Sequence, residues 1–73
     1  MYEEQIKRAV EAGFVFIHVR RDEAVFRLGD SRVFYRRFND SDWAVWTWDE
    51  RPEGHEATNL LIKAVDDSPG HYD

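Results

Sequence analysis

The stretch DWAVWTWDE sets Trp43, Trp46 and Trp48 between Asp42 and the acidic pair Asp49 and Glu50. Tryptophan joins a large apolar surface to a single N–H donor, so a run of this kind serves either a core or a recognition surface. The flanking carboxylates Asp40, Asp42, Asp49 and Glu50 have the chemistry of a general acid and base. Charged turns are ordinarily solvated, however, and a chain of 73 residues has little room for a pocket that excludes water. His18, His55 and His71 stand apart, with no HxxxH or HExxH spacing, and the neighbours His55 and Glu56 diverge on a helix. A metal site requires at least three converging ligands, and none is predicted. Ser31, Ser41 and Ser68 fall in turn-like contexts, where backbone hydrogen bonding accounts for them. The glycines form neither a GxGxxG nor a P-loop pattern, so no nucleotide or other cofactor is expected. The chemistry on offer is recognition, and the chain reads as a non-enzyme.

The length predicts a single α+β domain over 1–73, with 66–73 a frayed tail. There is no cysteine, which removes disulfides and cysteine-ligated zinc and fits a cytoplasmic protein. The opening MYEEQIKRAVEAG is charged and periodic, unlike a signal peptide, and no stretch approaches the roughly 18 apolar residues of a membrane span, so no membrane partner is expected. The net charge of −5 is unevenly spread. Residues 14–48 hold six arginines against five acids, whereas residues 49–73 hold seven acids against Arg51 and Lys63. An acidic total disfavours duplex DNA, whose ligands are usually basic, and suits a basic protein surface.

The elements that must position these residues follow from periodicity. Tyr2, Ile6, Ala9 and Val10 recur at helical spacing before Gly13, which predicts a helix over 2–12. FVFIHVR, AVFRL, RVFYRRF and WAVWTW are β-branched and aromatic runs separated by RDE, GDS and NDSD, the signature of a four-stranded antiparallel meander. Ala57, Leu60, Leu61, Ala64 and Val65 restore the helical period and predict a second helix over 55–66, stopped by DDSPG.

Loop lengths then assign faces. Two-residue turns at Asp22-Glu23 and Gly29-Asp30 and a four-residue NDSD loop collect Val15, Ile17, Val19, Ala24, Phe26, Leu28, Val33, Tyr35, Ala44, Trp46 and Trp48 on one face. Both helices are expected to cover that face. The other face would carry Phe16, His18, Arg20, Val25, Arg27, Phe34, Arg36, Phe38, Trp43, Val45 and Thr47. In this reading Trp46 and Trp48 are core residues. Trp43, with Phe38, Phe34, Arg36, Arg27, Arg20, Phe16 and His18, forms a partner-binding surface of the arginine and aromatic composition found at interface hot spots. Asp49, Glu50, Glu53 and Glu56, at the start of the second helix, offer an acidic contact.

Such a face suits a protein partner. The alternatives are a single-stranded nucleic acid, stacked on the rings and held by arginine, or a second copy of the chain in a small structural homodimer. Through RRFNDSDWAVWTWDE and DERPEGHE the chain resembles, in size and character, the small accessory proteins of phages and mobile elements of the anti-CRISPR type. The resemblance rests on no shared motif and assigns no residue a role. It implies an inhibitor that binds a host nucleoprotein complex in the host cytoplasm and blocks its nucleic-acid or partner site.

Overall fold

The computed structural model describes residues 1–66. The elements follow in the order α1 (Glu3–Glu11), β1 (Val15–Arg20), β2 (Glu23–Leu28), β3 (Ser31–Arg37), β4 (Trp43–Thr47) and α2 (Pro52–Val65). The strands form one antiparallel sheet in the order β1-β2-β3-β4, so the α+β meander between two helices is as expected. The expected frayed tail, apart from Asp66, and the helix-stopping DSPG lie outside the described residues.

Helix α1 ends where glycine allows it to. Gly13 has φ 103, and its N–H bonds the Val10 carbonyl while the Phe14 N–H reaches back to Ala9. That pair of bonds satisfies two terminal carbonyls and turns Phe14 into the core, where it is buried. Helix α2 starts three residues earlier than its apolar stripe suggests, with Pro52 in its first turn, where the missing N–H costs nothing.

One core cluster holds Ala9 of α1, Phe14, Ala24 and Phe26 of β2, Val33 and Tyr35 of β3, Trp43, and Ala57, Leu61 and Val65 of α2. Both helices therefore lie on one sheet face, here called the inner face. The central strands obey the expected alternation. Ala24 pairs with Tyr35 and Phe26 with Val33, and of the two residues at the Gly29-Asp30 turn only Gly29 has positive φ, as a type II′ hairpin needs.

The outer strands depart from it, each for a local reason. The β1–β2 turn is Arg21-Asp22, not Asp22-Glu23, and both residues have positive φ (51 and 67), the type I′ geometry. Val19 consequently faces Ala24, and Arg20 faces Glu23. A bulge then leaves Ile17 without a partner, so Phe16 pairs with Phe26 on the inner face and Val15 turns outward beside Arg27. Phe16 is thus corrected from the open face to the core side, and its ring lies 5.8 Å from that of Phe26.

The last loop is five residues, 38–42, because the ladder ends at Arg37 with Trp43. Asn39 Oδ1 accepts from the Ser41 and Asp42 N–H groups and fixes the reversal. The odd residue exchanges the two faces of β4. Trp43, expected to be exposed, is 6% exposed and packs on Tyr35 with centroids 5.7 Å apart. Trp46 and Trp48, expected in the core, lie on the outer face. Helix α2 crosses β3 and β4 with Ala57 and Leu61 buried, and the β4 positions turned toward it are Val45 and Thr47. Small side chains there let the helix approach.

Candidate partner-binding face

The outer face of the sheet is the side no described helix covers. Along β2 it presents Glu23, Val25 and Arg27, and along β3 Arg32, Phe34 and Arg36. Strand β4 adds Ala44 and Trp46, and β1 adds Val15, His18 and Arg20. Phe34 is the centre of this surface. Trp46 stacks on it (centroids 5.8 Å, interplanar 16°), and Trp48 meets it edge-on at 6.2 Å. Val25, its partner across β2–β3, is buried. The cluster thus has a shielded base, with Phe34 5% exposed, and a projecting tip, since Trp48 is 78% exposed. Phe38, at the start of the 38–42 loop, is 58% exposed, with the Arg36 guanidinium 5.4 Å above its ring. An exposed ring seated on a packed aromatic base has the anatomy of an interface anchor, because its own rotamer is already restricted before binding.

The expected partner-binding residues divide accordingly. Phe34, Phe38, Arg20, Arg27, Arg36 and His18 share the outer face or its margin, while Phe16 and Trp43 belong to the core. Reasoning from sequence missed Trp46, Trp48 and Arg32. Arg32 shares parity with Phe34 on the same strand and was legible. The tryptophans were not, because their face depends on the length of one loop.

The expected acidic contact is less free than its composition suggests. Asp49 accepts from Ser31 Oγ at 2.5 Å and from the Arg51 Nε, Nη2 and backbone N–H at 2.9, 2.9 and 3.0 Å. The Arg51 guanidinium, followed by the Ser31 hydroxyl, holds its carboxyl well below the usual carboxylate range. Asp49 is therefore a brace between β3 and the start of α2. Gly54 makes room for it: a Cβ there would collide with the Asp49 carbonyl oxygen and lie 2.7 Å from its Cβ. Glu53 and Glu56 are exposed and, with Asp30 and Arg51, line an open cavity of about 340 Å³ between the β2–β3 turn and α2. Its one guanidinium is already committed to Asp49. Glu50 is exposed.

Among the described residues no group of three or more His, Asp or Glu side chains converges to hold a metal. No described helix is long and apolar enough to cross a membrane. No protein-family model, curated protein or solved structure matches the chain.

Proposed function

We propose that the protein is a non-enzymatic interaction protein that contacts another protein through the outer face of its sheet, with Trp48 as the anchor. The observation that carries this reading is Trp48 itself, 78% exposed yet held against the ring of Phe34, which Trp46 stacks. An unburied tryptophan is costly to keep in water, and its place on a packed support favours occlusion by a partner. Inhibition of a host nucleoprotein complex in the cytoplasm, the form implied by the resemblance to anti-CRISPR proteins, is the specific version of this reading; the lack of cysteine fits a reducing compartment.

A single-stranded nucleic acid is the lesser reading. It needs several open ring faces for successive bases. Phe16 and Trp43 are in the core and Phe34 is covered, which leaves Trp46, Trp48 and Phe38.

The test is retention from bacterial lysate with and without nuclease, using the intact chain and two variants. Trp48→Ala should fold with unchanged stability and release the retained protein. Trp43→Ala should lose about 3–5 kcal/mol of stability and report only the core. Recovery of nucleic acid alone, abolished by nuclease, would replace the protein reading with the nucleic-acid one.

A further inference from the structure

The four arginines of the outer face are not equivalent. Glu23 sits between two of them, paired across β1–β2 with Arg20 and across β2–β3 with Arg36. At the other end of the same strands Arg27 and Arg32 stand directly opposite one another, like charge against like. Such a pair on one sheet face is destabilising, whereas opposite charges there would contribute favourably. Both arginines are exposed, and among the described residues no carboxylate lies within ion-pair distance of either. The Arg27 guanidinium donates from Nη1 to the Gly29 carbonyl at 2.9 Å, a neutral acceptor that leaves its charge unmatched. Two acids at the neighbouring ends of the strands act on Arg51 instead: Asp49 is bonded to it, and Asp30 adds to the field that raises its pKa. The register that pairs Val33 with Thr47 brings Trp48 alongside Arg32. Arg32 therefore stands beside the strand position of the most exposed ring of the face, with Arg27 one strand further along the same cross-strand row.

We propose that Arg27, Arg32 and Trp48 form a carboxylate-reading subsite, and that the partner presents an acidic segment with an apolar side chain beside its Asp or Glu residues. This rests on the reading of the outer face as a protein-contact surface and adds the chemistry of what it takes. Guanidinium groups match carboxylates in planar, two-point geometry, and the ring supplies the apolar contact that a charge pair alone lacks. Charge complementarity favours this occupant: the described strand positions of the outer face set Arg20, Arg27, Arg32 and Arg36 against Glu23, a local surplus of positive charge. A peptide carboxylate is favoured over a phosphate strand because Trp46 already stacks on Phe34 and the Phe38 ring already carries the Arg36 guanidinium, which leaves few open ring faces for successive bases.

The test is selection of binders to the immobilised full chain from a displayed library of random short peptides, alongside titration with a single-stranded oligothymidylate. Selected sequences should be rich in Asp and Glu around an apolar residue. They should lose about tenfold in affinity on the double change Arg27→Gln, Arg32→Gln, and weaken with salt. Arg32→Glu should abolish their binding while raising Tm by roughly 2–5 °C, because it turns a repulsive cross-strand pair into an attractive one. Neutral or basic sequences that depend on Trp48 but ignore both arginines would overturn the subsite and leave the protein-contact reading standing. If no selected sequence depends on Trp48, both fall. Tighter binding of the oligothymidylate than of any selected peptide would overturn the subsite in favour of phosphate. A lower Tm for Arg32→Glu would show that the pair is already compensated and would also overturn it.

Discussion

Asp49 binds three groups with one carboxylate: the Ser31 hydroxyl of β3, the Arg51 side chain, and the Arg51 backbone N–H before the first turn of α2. Its pKa is depressed, first by the Arg51 guanidinium and then by the Ser31 hydroxyl, so the folded state binds the proton more weakly than the unfolded chain. The stability that this carboxylate contributes is fully present above the ordinary aspartate pKa of about 4 and is lost as pH falls below it toward the depressed value. Asp49→Asn should therefore be less stable than the parent at neutral pH, with the gap narrowing steadily below about pH 4. Urea unfolding at a series of pH values measures it. A gap of equal size at neutral pH and at about pH 2 would show that the side chain acts through packing and not through its charge.

The hairpin between β1 and β2 is an element held against its local preference. Arg21 and Asp22 both adopt positive φ, where Asn and Gly are the residues suited to a type I′ turn. The position is held from outside, since the Tyr2 hydroxyl donates to the Asp22 carbonyl. Replacing the pair by Arg21→Asn with Asp22→Gly keeps that carbonyl and removes left-handed strain. It should stabilise the fold by about 1 kcal/mol, read as a rise in Tm. An unchanged or lower Tm would mean that the side chains of Arg21 and Asp22 matter in their own right. The same hairpin shows where the sequence is legible. In β2 and β3 one face alternates cleanly and Gly29 pins the register, so Phe26, Val33 and Tyr35 read as core and Arg27, Phe34 and Arg36 as the opposite face. In FVFI four neighbouring residues are all apolar, and the bulge at Ile17 leaves no local mark. WAVWTW is apolar on both faces too. Its orientation is decided by the residue count of the 38–42 loop and by the room beneath α2, which are tertiary facts. The composition of the outer face was therefore legible in its central strands, and the placing of Trp46 and Trp48 on it was not.

At the scale of the whole molecule, charge and apolar surface are segregated in a way that bears on self-association. The outer face gathers arginine and exposed tryptophan, while Glu53 and Glu56 sit on α2, which packs against the opposite side of the sheet. A two-fold dimer through the outer faces would bury Trp48 of both copies, but it would also set one surface rich in uncompensated arginine against its like. Symmetry makes the contact self-repelling, and the face holds Glu23 as its described acid, already placed between Arg20 and Arg36. Stacking an outer face on the acidic helix side of another copy would satisfy the charges, yet it is head-to-tail and does not close, so it gives weak, salt-sensitive chains and no defined dimer. Light scattering should accordingly find a monomer at physiological ionic strength across a wide concentration range. Any association at low salt should grow without a fixed stoichiometry and vanish on adding salt. A discrete dimer that persists in salt and dissociates on Trp48→Ala would show that the outer face is matched to itself, and the search for an acidic partner would then give way to the homodimer.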